Sequence, residues 1–279
     1  MERGKKKQFK KILKGIKEIK IQGAKNIAKK ALYAYTLIPT KRSKRKLLSL
    51  RPTEPLLMNV LKKTETSSPA KILEHFKTTQ EKINKNTFNK VKNKDTIFTH
   101  CHSSTVVEAL INAKKKKKKF EVYNTETRPL FQGRKTTLEL KKSKIKTTQF
   151  VDSAAMIALT KKQGTKKVNK VFIGADAILR KGVINKVGSG MFSKIAHDNK
   201  IPVYVLANSW KFSPTQTIKK NLKVFEKRSF KEIWQGKSKG RIKIENPAFE
   251  FVPRKYITAI ISELGVLSYK DFLKKVSKK

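Results

Sequence analysis

The chain has 279 residues, enough for one large domain or two modest ones, and 38% hydrophobic residues supply a core. Its net charge of +48 is mostly lysine spread through every segment, which fits either a solvated surface or a salt-sensitive, sequence-independent attraction for RNA. A single cysteine excludes an internal disulfide framework and fits a reducing compartment. No apolar run reaches the roughly 18 residues of a membrane span or forms a signal-peptide core, so a cytoplasmic protein with no membrane partner is expected.

Residues 1–22 place Phe9, Ile12, Leu13, Ile16 and Ile19 at three- and four-residue steps among lysines, the pattern of an amphipathic helix. Gln22-Gly23-Ala24-Lys25-Asn26 breaks it, and a second helix runs from Ile27 through Ala31 and Tyr35 to Ile38, where Pro39 ends it. A glycine leading into a helix offers free backbone N–H groups to a phosphate, and equally serves as a plain helix–helix turn. Leu50 to Pro55 reads as a turn, Thr64 to Pro69 as a loop, and Ile72 to Val91 as a polar helix. These observations set an N-terminal helical domain over 1–91, with a second domain over 92–279.

Thr96 to Thr99 is a short apolar run of buried-strand type. It stops at His100-Cys101-His102-Ser103-Ser104, and Thr105 to Ile111 continues with helical spacing behind a serine or threonine cap. After Lys114–Lys119, a solvated run at a helix end, Phe120 to Tyr123 makes a second strand ending at Asn124-Thr125-Glu126-Thr127-Arg128-Pro129. Lys135 to Lys141 is a helix, Thr147 to Val151 a strand, Met156 to Thr160 a helix and Val168 to Ile173 a strand ending at Gly174-Ala175-Asp176. Gly182 to Gly188 reads as a loop into a helix over 189–199, and Pro202 to Ala207 as a strand ending at Asn208-Ser209-Trp210-Lys211-Phe212. Residues 213–243 read as loop, Ile257 to Leu264 as buried helix or strand, and Tyr269 to Val276 as a closing helix. The alternation predicts an α/β fold: a helical domain followed by a Rossmann-like domain with a mostly parallel, doubly wound sheet.

In such sheets ligands bind at the carboxyl ends of the strands, where the polar residues gather here. Cys101 lies at a helix N-terminus between two histidines in a cationic protein, conditions that lower a thiol pKa from roughly 8.5 and favour thiolate. A lone buried cysteine is also often inert. His100 and His102 alternate along an extended stretch and face opposite sides, and no zinc site is expected because other ligands lack metal spacing. Asp176 ends another strand at the same edge, where it serves either as an acid–base partner of Cys101 or as a helix cap. Arg128, Gln132, Asn185 and Lys186 offer phosphate donors, although Arg128 has an alternative partner in Glu126.

Seven segments carry a resemblance: THCHSSTVVEAL, VYNTETRPLFQGR, FVDSAA, GADAI with INKVGS, SWKF, ENPAFEFVP and ISELGVL. They resemble the initiation factor 2B alpha/beta/delta subunit family, which also contains isomerases for methylthioribose 1-phosphate and ribose 1,5-bisphosphate; the match runs over about residues 16–276. The resemblance implies a dimer or higher oligomer, with a phosphorylated sugar or nucleotide as ligand and initiation factor 2 subunits as further partners. No cofactor is expected. In the isomerase members a cysteine and an aspartate match Cys101 and Asp176, and the phosphate and hydroxyl contacts match Gly23, Ala24, Arg51, Arg128, Gln132, Asn185 and Lys186. The isomerases carry arginine where this chain has Gln22. That departure tips the reading toward a regulatory, initiation factor 2B-like subunit, with ribose-1,5-bisphosphate isomerase as the alternative.

Overall fold

The computed structural model describes residues 2–214, 228–236 and 242–278. Five helices come first: α1 (Glu2–Lys17), α2 (Ala24–Leu37), α3 (Lys41–Ser49), α4 (Pro55–Lys63) and α5 (Pro69–Phe88). The apolar stripe of α1 buries Phe9, Ile12 and Ile16 against Ile27, Ala31 and Ala34 of α2. Helix α3 falls in the lysine-rich KRSKRKLLS, where apolar spacing is too sparse to announce a helix. A capping box starts it, with Thr40 and Ser43 each bonding the other's backbone N–H, and only Ser43 and Leu47 are buried. Pro55 and Pro69 occupy first-turn positions of α4 and α5, where a missing N–H costs nothing.

The second half is built on a seven-stranded sheet. Its strands are β1 (Thr96–Thr99), β2 (Glu121–Thr125), β3 (Lys146–Phe150), β4 (Lys170–Ile173), β7 (Val203–Leu206), β9 (Ala259–Ser262) and β10 (Gly265–Leu267), in the order β10-β9-β7-β4-β1-β2-β3. Every pair is parallel except β9–β10. Strand residues alternate between two cores. Phe98, Val171, Ile173 and Val205 face α8 (Ala155–Leu159), α9 (Ser189–Asp198) and α10 (Tyr269–Val276). Ile97, Val122, Phe172 and Leu206 face α5, α6 (Ser104–Lys115) and α7 (Gln132–Lys142). Burial on both faces is what helices packed on each side of a parallel sheet require. The chain runs outward from β1 through β2 to β3, then returns to β4 on the other side of β1. The crevice of the sheet therefore opens where β1 and β4 end.

Two expectations change. Residues 182–188 are not a loop: Gly182–Lys186 is strand β6, pairing antiparallel with β5 (Ala177–Leu179) and β8 (Phe249–Pro253) in a second, three-stranded sheet. Asn185 and Lys186 hide the strand pattern because they are polar yet 7% exposed, and the pairing partner lies more than sixty residues away in sequence. The helix-or-strand ambiguity of 257–264 resolves to strand. The loop reading of 213–243 falls largely outside the described residues; Phe230–Glu232 makes a single 3-10 turn.

Candidate active site

Strand β1 ends at the crevice, where His100, Cys101 and His102 follow it. His100 is 2% exposed; its Nδ1 lies 2.6 Å from the Thr125 hydroxyl and its Nε2 2.8 Å from the Val187 carbonyl. A carbonyl only accepts, so Nε2 carries the proton and Nδ1 accepts from threonine. Burial pushes this imidazole down to about 4, which leaves it neutral near pH 7. His102 turns the other way, with Nδ1 3.0 Å from the Thr136 hydroxyl. Burial, then the Lys135 charge, pushes it to about 4 as well. Neither ring touches a metal-like cluster: among the described residues no three His, Cys, Asp or Glu side chains converge as a metal site needs.

Between them Cys101 adopts φ 67, the left-handed region that costs a non-glycine residue about a kilocalorie or more. Threonines hold both of its backbone groups. Its N–H donates to Thr127 Oγ1 (3.0 Å), and its carbonyl accepts from Thr136 Oγ1 (2.8 Å). Thr127 is itself left-handed, at φ 64, and Asp152 fixes it by accepting from the N–H groups of Thr127 (2.9 Å) and Arg128 (2.6 Å). The thiol is pushed up to about 12. Burial is the main cause; Asp176 and Asp152 add to it, while a backbone hydrogen bond from His102 and the Lys186 charge oppose it. The thiolate expected from the helix N-terminus and the cationic surroundings is thus replaced by a neutral thiol, because enclosure by protein outweighs the favourable charges. Cys101 is partly exposed and lines the cavity.

Strand β4 delivers Gly174-Ala175-Asp176 beside it. A Cβ on Gly174 would stand 2.7 Å from Ser103 Oγ, so the two strand ends meet where only glycine fits. The Asp176 N–H donates to the Ile184 carbonyl (2.8 Å), which ties the aspartate to the same hairpin as Asn185 and Lys186. The Tyr269 hydroxyl, 2.7 and 2.6 Å from the carbonyls of Leu179 and Gly182, pins that hairpin to α10. Asn185 Nδ2 donates to Ser189 Oγ (2.8 Å), which donates to the Lys186 carbonyl (2.7 Å). Burial lowers the Lys186 pKa, while the Cys101 and Asp176 charges act the other way.

Cys101, Asp176, Asn185, Lys186, Gly23, Ala24, Arg51 and Gln132 all line one cavity of ≈ 310 Å³. Gly23, at φ 81, turns the chain into α2 and brings that helix's first N–H groups to the wall. Arg51 is half-buried and anchored through Nη2 to the Ile16 carbonyl (3.3 Å). Gln132, first residue of α7, points a buried Oε1 that has no hydrogen-bond partner among the described residues. Arg128 stands apart. It is exposed, stacks on the Phe131 ring at 4.9 Å and is not among the lining residues, and Arg134 rather than Arg128 pairs with Glu126 (3.1 Å).

Lys211 had no assigned role in the sequence. It is 7% exposed, lines the cavity and donates to the carbonyl of Ala175, next to Asp176. Burial lowers its pKa, and Asp176, then Glu54, oppose the fall. Asn59 of α4 fixes its turn by donating to the Trp210 (2.7 Å) and Phe212 (3.2 Å) carbonyls. The signal that could have found it is positional: a lysine just past the end of β7, on the edge where β1 and β4 end.

A family model described as the initiation factor 2 subunit family matches residues 41–269. The ribose 1,5-bisphosphate isomerase of Methanocaldococcus jannaschii is 36% identical, over 90% of this chain and 89% of its own length. That of Archaeoglobus fulgidus is 31% identical, over 90% and 87%. Among solved structures, the Pyrococcus horikoshii OT3 translation initiation factor eIF-2B superposes with a TM-score of 0.80 at 26% identity, covering 93% of this chain and 96% of that one. Relatives that match nearly end to end bear an isomerase name, and this overturns the regulatory-subunit reading. A neutral Gln22 is weak ground for that reading. Lys25, Arg51, Lys135, Lys186 and Lys211 line the same cavity, so one missing arginine does not leave it without cations.

Proposed function

We propose that this chain, which belongs to the initiation factor 2 subunit family, is a sugar-phosphate aldose–ketose isomerase acting on ribose 1,5-bisphosphate. The observation that carries the reading is a neutral thiol and a carboxylate lining one cation-rich cavity, on loops that pack directly against each other. A thiol that keeps its proton at neutral pH is a poor nucleophile and a competent acid. Cys101 therefore donates to the ring oxygen of the aldose, and the bond from C1 to that oxygen breaks. The positive charge left on C1 is shared with the oxygen that bears the phosphate. Hydrogen then moves with its electron pair from C2 to C1, while Asp176 takes the C2 hydroxyl proton and the C2 carbonyl forms. Return of that proton from Asp176 to Cys101 restores the enzyme. Lys186 stabilises the transient thiolate, since its charge already lowers the thiol pKa. With the acid and the base both committed to oxygen protons, neither is left to abstract the proton on C2.

The α2 N-terminus with Gly23 and Ala24, together with Arg51, suits one phosphate, and Lys186 with Asn185 suits polar groups nearer the reacting carbons. A second copy of the chain as partner belongs to the same reading. The test offers purified protein ribose 1,5-bisphosphate and follows loss of the anomeric proton by NMR, with methylthioribose 1-phosphate as competitor. Ribulose 1,5-bisphosphate should accumulate, and product formed in D₂O should carry no deuterium at C1. Absence of turnover on ribose 1,5-bisphosphate would overturn the assignment.

A further inference from the structure

The cavity occupies one end of the sheet, and the lysine runs occupy the other. Because β1 and β2 are parallel, the turns that enter them lie opposite the site. The turn before β1 carries Lys90, Lys92 and Lys94, and the end of α6 with the turn before β2 carries Lys114 to Lys119. These two turns form one surface. The Lys94 N–H donates to the Lys119 carbonyl (2.6 Å), the Lys119 N–H to Asn93 Oδ1 (2.9 Å), and the Glu121 N–H to the Asp95 carbonyl (2.9 Å). Lys92, Lys94, Lys115, Lys116, Lys117 and Lys119 are exposed.

Acids that would neutralise this surface are already engaged. Asp95 is buried against Lys170, and Glu121 is buried against the Thr96 hydroxyl, Lys166 (2.7 Å) and Lys146 (3.6 Å). None of the nine lysines makes an ion pair among the described residues. Elsewhere exposed lysines do find acids, as Lys6 with Glu2 and Lys194 with Asp198. Several ammonium groups are also held in place: Lys116 and Lys118 stand 5.4 and 4.7 Å from the centre of the Phe88 ring, and Lys90 stands 6.0 Å from that of Tyr204. A pre-ordered, unneutralised cationic surface fits a polyanion whose charges repeat along a chain.

We propose that this end of the sheet binds the phosphate backbone of RNA, without sequence preference and independently of the cavity. The lysines supply point charges to phosphates, and the scarcity of arginine and exposed aromatics leaves no reader of bases. The test uses a fluorescent oligouridylate of about 20 nucleotides, long enough to span such a patch, and follows anisotropy across salt concentrations. Two variants carry matched charge loss. One replaces Lys92, Lys94, Lys115, Lys116, Lys117 and Lys119 by serine; the other replaces exposed Lys5, Lys6, Lys7, Lys10, Lys11 and Lys17 of α1. At about 0.7 counterions released per single-strand phosphate, the first variant should flatten the plot of log affinity against log salt by about 4. It should also weaken binding on the order of a hundredfold, while the α1 variant stays within about threefold of wild type. A glutamine version of the first set, with thermal melts, separates loss of charge from loss of folding. Equal loss in both charge-matched variants, or no wild-type binding at low salt, would overturn the proposal. Neither outcome bears on sugar-phosphate turnover, which is measured separately.

Discussion

Cys101 is the only cysteine, so every thiol signal from this protein reports on one site. Burial moves its pKa from an ordinary 9.0 to about 12. Three pH units correspond to about a thousandfold less thiolate wherever the free thiol is only beginning to ionise. A more basic thiolate is intrinsically more reactive, by roughly sixteen- to thirtyfold over that interval at a Brønsted slope of 0.4–0.5. Alkylation by iodoacetamide at pH 8 should therefore run about thirty- to sixtyfold slower than in the denatured protein. The sharper readout is the pH profile. Rate and thiolate absorbance should climb without a plateau past about pH 10.5, because the titration midpoint lies above it. Lys186→Met should move the profile further up, since the lysine charge favours the thiolate. The same shift has a stability signature. Above pH 9 the unfolded thiol ionises while the folded one keeps its proton, so stability falls by about 1.4 kcal/mol per pH unit until the folded pKa is passed. A plateau at or below pH 9 would refute the account and would return the thiol to the ready thiolate that the sequence suggested.

The two histidines act at the opposite end of the scale. Both are held near 4 against an ordinary 6.5, so the unfolded chain binds more protons between those values; stability present above pH 6.5 should drain away as pH falls toward 4, with His100 alone contributing about 3 kcal/mol, measurable by denaturant titration. Cys101→Ser and Asp176→Asn should each lower turnover on the order of 10²–10⁴, with substrate-induced thermal shifts retained. Thr127→Val removes the acceptor for the Cys101 N–H and should lower kcat about tenfold or more at nearly constant KM, with Thr127→Ser restoring it; equal rates in both would show that the left-handed turn needs no such anchor. Gly174→Ala drives a methyl against Ser103 and should cost about 2 kcal/mol in stability, read from the melting transition.

Most of the sheet was legible because its strands are short apolar runs that alternate with helices, and the crevice followed from where the polar residues gather. What stayed hidden was polar and buried together. Asn185 and Lys186 look like loop residues, and only pairing with the distant β8 makes them strand. Helix α3 offered two buried side chains among lysines, too few for a period. The thiol's protonation depends on how deeply the folded chain encloses it, a sum over segments that no local spacing encodes. Lys211 escaped for the same reason: its carbonyl partner lies 36 positions away in sequence, and its turn is held by Asn59 of a helix in the other half of the chain.

The cavity is walled from two sources, by Gln22 to Ile27 on one side and by the ends of β1 and β4 on the other. The turn at Gly23 belongs to the helices of the first half, so it meets the cavity without taking part in the sheet. Exchanges in that short segment can alter the entrance while leaving the strand ends that carry Cys101 and Asp176 untouched.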